Sequence, residues 1–200
     1  MDDAYVHGCH TPSVKLVANM KQRMQPNKEN SDKTEADVLA LFTQYLDSLK
    51  WKYRPSADRP IVYCGFNGDD AHWDFSVVVR QHCPGVYFAG VNSFIPVKAR
   101  PERRAAMAEL LIRLNFSLMH GCWEMDYQDG DIRFRTSLAL PAAEITPNAV
   151  EYLIRSNLSI VDENIRRIAA VLYSNTTPDD AMKLGEEQQE AKSEPRFEMN

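Results

Sequence analysis

Histidine and cysteine side chains stand close together at three places in this 200-residue chain. His7, Cys9 and His10 share one short stretch, and the pairs His82–Cys83 and His120–Cys122 follow later. Imidazole and thiolate groups bind transition metals, and a histidine can activate a cysteine as a nucleophile. A metal site needs further ligands, however, and closeness in sequence does not deliver catalytic geometry. A redox- or metal-responsive sensor is therefore the alternative interpretation, and we expect no metal or cofactor.

Two carboxylates and two arginines form the second group that could do chemistry. Glu124 and Asp126 are two residues apart on an expected strand, so they share one face, as the paired carboxylates of a hydrolase could. Arg133 and Arg135 lie on the expected partner strand and would keep both carboxyl groups ionised, which does not suit a general acid. We expect these four residues to form a charged ladder and a candidate interaction surface, with no catalytic residue among them.

The segment 122–140 positions these charges because it has the pattern of a β-hairpin. Asp129 and Gly130 separate two alternating runs, and an Asp-Gly pair is typical of a two-residue type I′ turn. Such a turn fixes the register, with apolar pairs on one face and opposite charges on the other. The predicted pairs are Tyr127–Ile132, Asp126–Arg133, Met125–Phe134, Glu124–Arg135 and Trp123–Thr136.

Apolar periodicity predicts the elements around this hairpin. Helices are expected at 35–50, at 101–120 and, starting at Thr146-Pro147 with an interruption near Asn157, up to residue 173. Strands at 61–66, 72–80 and 86–94 form an antiparallel meander. The order α-β-β-β-α-β-β-α predicts an α+β, two-layer domain whose helices cover one face of an antiparallel sheet.

Three regions are expected along the chain. Residues 1–33 form a polar leader, largely flexible or containing a short helix, residues 34–175 form the folded domain, and residues 176–200 form an acidic, disordered tail. The basic group at 98–104 is expected to be a solvated face, with an anion or acidic-partner contact as the alternative. The apolar side of the leader helix would consist of Val14, Leu16, Val17, Met20 and Met24.

Composition and motifs exclude several classes of protein. The formal net charge is −5, with most of the excess acid in residues 174–200, so the domain lacks the basic field that binds nucleic acid. The phosphate-loop, GxGxxG, HExxH and GxSxG motifs are missing from the sequence. No run is apolar enough to span a membrane and no signal-peptide pattern begins the chain, so we expect a cytoplasmic protein. The four scattered cysteines favour reduced thiols.

Residues 100–173 contain a distinctive set of residues and motifs. They are Arg104, Ala108 and Glu109 in the proline-initiated helix, Asn115, Leu118 and Gly121 after it, the strand residues 123–126, the turn Asp129-Gly130, the strand residues 132–135, and the entry to the last helix at 145–147. In these residues the segment resembles the YbjN family of bacterial sensory transduction regulators. Cys122-Trp123 departs from the Asn-Phe pair that is commoner in the family, which we interpret as a packing change.

The resemblance implies a small, non-enzymatic protein that binds other proteins in a regulatory or chaperone-like role. It implies a fold similar to that of type III secretion chaperones, which often dimerise, and it supplies no agreed catalytic residues. We therefore expect a homodimer with an unidentified protein partner, and neither a nucleic-acid nor a membrane partner.

Overall fold

The computed structural model describes residues 33–184, which form an antiparallel sheet with helices packed on one face. The helices are α1 (Glu35–Ser48), α2 (Arg104–Ser117) and α3 (Pro147–Tyr173), with short 3₁₀ helices at Pro101–Arg103 and Ala142–Glu144. The strands are β1 (Tyr53–Pro55), β2 (Ile61–Asn67), β3 (His72–Cys83), β4 (Val86–Phe94), β5 (Cys122–Met125) and β6 (Ile132–Pro141). Their order across the six-stranded sheet is β1-β2-β3-β4-β6-β5. The predicted α+β fold is confirmed, with β1 as an added strand before the meander.

The sheet face that was predicted to be buried lies under the helices. α1 packs on β3, α3 packs on β4 and β6, and α2 packs on β5. Alternation along each strand sends every second side chain into this core. Met125 is half-buried in this core, and six other strand residues are at most 3% exposed: Trp73, Phe75, Val77, Trp123, Ile132 and Phe134.

The helix α1 begins at a capping box. Thr34 accepts a hydrogen bond from the backbone N–H of Asp37, and the Asp37 carboxylate accepts one from the Thr34 backbone N–H at 2.7 Å. Two N–H groups that have no partner inside the helix are thereby satisfied. The helix ends two residues earlier than predicted, because the chain turns at Lys50, which has a positive φ of 57°.

The helix α2 ends at Ser117, three residues before the predicted end at His120. Gly121, which follows the predicted helix end, lies four residues beyond the observed one. Its φ is +82°, and a Cβ there would come within 2.5 Å of the Phe134 ring, so a glycine is required where the chain passes over β6.

The helix α3 is continuous, so the predicted interruption near Asn157 is wrong. Asn157 is fully buried, and its amide group donates to the backbone oxygens of Val91 and Phe134 at 3.0 and 3.3 Å. Its side chain points into the sheet and leaves the helical backbone bonds intact. Asn157, the polar residue in the apolar stripe of α3, therefore connects the helix to the sheet and does not interrupt the helix.

The hairpin register differs from the prediction by two residues. Met125 pairs with Ile132, and residues 126–131 lie between the strands. The Asp126 backbone N–H donates to the Asp131 carbonyl at 2.9 Å, so four residues, 127–130, form the turn itself. Asp126 and Asp129 each accept a hydrogen bond from the backbone N–H two residues further on, at 2.8 and 3.0 Å. These turns lengthen the loop, and Gly130 but not Asp129 has a positive φ, so no type I′ turn forms. A shift of two keeps every side chain on its predicted face.

The domain extends past residue 175. Residues 178–184 are helical, Thr177 accepts a hydrogen bond from the Asp180 backbone N–H, and Ala181 is fully buried in the core. The first part of the expected tail is therefore ordered. The leader at 1–32 and the remainder of the tail at 185–200 lie outside the described residues. None of the helices within 33–184 has the length and apolar character needed to cross a membrane.

Candidate functional site

The charged ladder becomes a three-residue cluster centred on Glu124. Arg133 donates to one carboxylate oxygen of Glu124 at 2.6 Å, and Arg135 binds the other oxygen. Asp126 was predicted to pair with Arg133, but it lies in the loop and makes no ion pair within residues 33–184. The structure thus brings together Glu124, Arg133 and Arg135, which we call the Glu124 cluster, and leaves Asp126 beside it.

The electrostatics of the Glu124 cluster favour a permanently charged surface. Partial burial alone would raise the pKa of Glu124, but the hydrogen bonds and charges of Arg133 and Arg135 outweigh it and hold the pKa below its usual value. The side chains of Glu124, Arg135 and Arg133 are 26, 35 and 48% exposed. An ionised, half-exposed carboxylate held by two guanidinium groups can bind a partner's polar groups, but it cannot serve as a general acid.

A cleft of about 470 Å³ lies beside this cluster, at the end of the sheet near the hairpin loop. Phe94, 39% exposed, contributes an aromatic surface next to the charged groups. Its walls combine apolar side chains with charged groups of both signs. The lining residues are Phe94, Ile95, Glu124, Met125, Asp126, Asp131, Ile132 and Arg133.

The basic residues at 98–104 are divided between the predicted solvated face and contacts within the fold, because the side chains of Lys98 and Arg100 are 56 and 69% exposed whereas Arg103 and Arg104 are half-buried. Lys98 forms ion pairs with Asp129 and Asp131 in the hairpin loop at 2.9 and 2.8 Å. Arg103 donates to the Val171 carbonyl in the last turn of α3 at 2.7 Å, where the helix dipole favours a cation. Arg104 donates to the backbone carbonyl of Tyr127 at 3.2 Å. Sequence spacing alone could not reveal these long-range contacts.

The thiols and imidazoles do not assemble into a reactive site in the described part of the chain. Burial raises the pKa of the Cys64 and Cys122 thiols, which is opposite to what a reactive cysteine requires. The His120 ring packs on Tyr152, with ring centroids 5.5 Å apart. No group of three or more His, Cys, Asp or Glu side chains within residues 33–184 could hold a metal ion. His7, Cys9 and His10 lie outside the described residues.

The sequence analysis missed an exposed apolar stripe on α2. Ile112 and Phe116 are 69 and 94% exposed, and Met119, just beyond the helix, is fully exposed. Ala105 and Ala108 continue the same side toward the helix start. Apolar residues recur every three or four positions at 105, 108, 112, 116 and 119, on a different side of the helix from the buried leucines. This spacing is the sequence pattern that could have revealed the exposed stripe. We call these five residues the α2 stripe.

We compared the chain with known proteins to find the family to which it belongs. The crystal structure of YbjN from E. coli, described as "a putative transcription regulator", aligns with a TM-score of 0.43 and 14% identity, covering 68% of this chain and 89% of that chain. No curated protein matches. The model of the YbjN family, described as "Putative bacterial sensory transduction regulator", matches residues 39–170. Because this match spans well over half of the sequence, the chain belongs to the YbjN family.

Proposed function

We propose that the protein is a non-enzymatic, cytoplasmic regulator that works as a homodimer and binds another protein in a regulatory or chaperone-like role. The observation that carries the proposal is the α2 stripe. Monomeric proteins rarely expose a continuous apolar surface of this kind, and a helix that is apolar on two sides is typical of a helix buried between two layers. The core provides one layer, and a second copy provides the other.

The shape of the α2 stripe supports pairing with itself. Small side chains, Ala105 and Ala108, occupy its first half, and large ones, Ile112 and Phe116, occupy its second half. In an antiparallel, two-fold arrangement the large half of each helix would fill the small half of the other. Phe116, the aromatic side chain of the stripe, would bury about 150–250 Å² of the ~800 Å² that each partner buries in a specific interface.

The Glu124 cluster and the adjoining cleft serve the other partner in this proposal. They lie on the outward sheet face, which the described helices leave free, and they combine Phe94 with fixed charges of both signs. Aromatic anchors next to charged groups are typical of protein-binding surfaces. One surface thus joins the two copies, and a different surface recognises the regulated protein.

The dimer can be tested by light scattering during size-exclusion chromatography. The double variant Ile112→Asp/Phe116→Asp places charges in the proposed contact, so we expect the mass to fall from that of a dimer to that of a monomer with little change in Tm. Tyr173→Asp is the matched control, because Tyr173 is 59% exposed on another helix, and it should remain dimeric. A wild-type chain that is monomeric at all concentrations would contradict the proposal.

A further inference from the structure

The cleft beside the Glu124 cluster has an aromatic wall that reaches solvent. Phe94 is the last residue of β4 and is 39% exposed, whereas most of this strand is buried. Met125, which is half-buried, lines the same cleft. A wall of this kind can stabilise the aliphatic part of a long side chain while the charged end of that side chain stays in contact with polar groups.

The charged groups of the cleft leave one carboxylate without a cation. Glu124 is bound by the two arginines of its cluster, and Asp131 forms an ion pair with Lys98 at 2.8 Å. Asp126 is exposed and forms no ion pair within residues 33–184. One of its carboxylate oxygens accepts a hydrogen bond from the Gln128 backbone N–H at 2.8 Å, and the other has no hydrogen-bond donor among these residues. A cation from outside can therefore bind Asp126 without displacing an existing ion pair.

A second such carboxylate stands on the other side of the aromatic wall. Asp74 on β3 lies directly opposite Phe94 in the sheet register, so their Cβ atoms are about 4.5–5.5 Å apart. It alternates with the buried Trp73 and Phe75, it is exposed, and it has no ion pair in the part of the chain that the structure describes. Phe94 thus lies between two carboxylates that lack a cation, and this arrangement is complementary to a positively charged group.

We propose that the cleft receives an arginine side chain of the regulated protein, with its aliphatic part on Phe94 and its guanidinium group bound by Asp126. Asp74 attracts the same charge from the other side of the ring. Arginine fits better than lysine, because its planar group can donate two hydrogen bonds to one carboxylate and because interfaces are enriched in arginine and depleted in lysine. This inference rests on the proposed function, since it names the chemistry by which the Glu124 cluster and its cleft recognise the other partner.

An NMR titration of the full-length chain tests the proposal with the peptide acetyl-Ala-Arg-Ala-amide as the probe. We expect the backbone signals that move to be those of the cleft residues, with saturation at millimolar concentration. The same peptide with citrulline in place of arginine keeps the shape but loses the charge, so it should bind about tenfold more weakly. Equal binding of the citrulline peptide, tighter binding of the lysine peptide, or no shifts at the cleft would overturn the proposal.

Asp126→Asn tests the carboxylate itself. The side-chain oxygen of asparagine can still accept the hydrogen bond from Gln128, so the loop should fold as in the wild type, while the affinity for the arginine peptide should fall about tenfold. Asp47→Asn is the matched control, because Asp47 on α1 is also exposed and has no ion pair within residues 33–184. It should bind the peptide as the wild type does. Unchanged affinity in Asp126→Asn, or an equal loss in both variants, would contradict the assignment.

The same titration on the α2-stripe variant Ile112→Asp/Phe116→Asp separates this inference from the proposed dimer. We expect the variant to bind the arginine peptide as tightly as the wild type does, because the stripe and the cleft lie on different faces of the molecule. A chain that is dimeric by light scattering but does not bind the peptide would overturn the arginine site alone. A wild-type chain that is monomeric but binds the peptide would overturn the dimer alone.

Discussion

The hydroxyl of Ser93 donates a 2.6 Å hydrogen bond to the side-chain oxygen of Asn157, and this bond joins the last part of β4 to α3. The indole N–H of Trp73 donates to the same hydroxyl at 3.1 Å, and the Asn157 amide lies 3.3 Å from the Thr136 hydroxyl. The buried polar groups of helix and sheet therefore satisfy one another. Because the bonds require one relative position, they fix how α3 sits on the sheet.

Removing this connection should destabilise the fold. Asn157→Leu leaves Ser93 and two strand carbonyls with fewer partners in a dry environment, so we expect the free energy of unfolding to fall by about 1–3 kcal/mol. Asn164→Leu is the control, because the Asn164 side chain makes its hydrogen bonds in the described structure within its own helix, donating to the Ile160 carbonyl and accepting from Arg167. Urea denaturation measures both variants. A larger loss at position 164 than at position 157 would contradict the assignment.

The hairpin core depends on Phe134. Its side chain is fully buried and packs on Trp123, with ring centroids 4.9 Å apart. Phe134→Ala removes a large buried side chain, so we expect a loss of about 3–5 kcal/mol, enough to unfold a marginally stable domain. Phe94→Ala, on the outward face, should cost far less. A melting temperature of Phe134→Ala within a degree or two of the wild type would argue against this packing.

Reversing the charges of Arg133 and Arg135 distinguishes the proposed partner-binding surface, the Glu124 cluster, from the proposed dimer surface, the α2 stripe. Arg133→Glu/Arg135→Glu breaks both ion pairs of Glu124, and because exposed pairs contribute about 0–1 kcal/mol each, stability should fall only modestly. We expect sedimentation to show an unchanged dimer, since the self-contact is assigned to α2. Loss of the dimer in this variant would instead place the self-contact on the sheet face.

Acid should loosen the hairpin loop before it affects the core. The hydrogen bond from Lys98 lowers the pKa of Asp129 to about 2, below the value of about 3.9 for an unfolded chain. A lowered folded-state pKa means that the contribution to stability is present above pH ~4 and is lost as the pH falls toward 2. The wild type should therefore melt above Asp129→Asn at pH 6, and this difference should vanish near pH 2. A difference in melting temperature that persists at pH 2 would show that Asp129→Asn acts through something other than the ionisation of Asp129.

The sequence predicted most elements because their apolar periods are long and well bounded. Prolines and Thr34 marked the helix starts, and strand alternation identified the buried face. The hairpin register could not be predicted, because the turn depends on Asp126 binding the loop backbone and on Gly130 approaching Ala99, whose backbone N–H donates to the Gly130 carbonyl at 2.8 Å. The strand β1 was missed because three residues that include a proline carry no alternation.

The site was harder to predict than the fold. Glu124, Arg133 and Arg135 meet as expected because they share a face, but Asp126 leaves them once the loop lengthens by two residues. The α2 stripe was missed because its two alanines dilute the apolar signal between buried leucines. Whether a helix face is covered depends on the tertiary arrangement, which a local pattern does not contain.

Both borders of the sheet are closed to an incoming strand. The side-chain amide of Asn115 donates to the Trp123 carbonyl at 3.0 Å and accepts from the Trp123 N–H at 2.7 Å, so it occupies the hydrogen-bonding positions that a further strand beside β5 would need. At the other border β1 has three residues, and Pro55 has no N–H to donate. Edge-to-edge aggregation and strand addition are therefore disfavoured, and a partner must recognise faces of this molecule rather than extend its sheet.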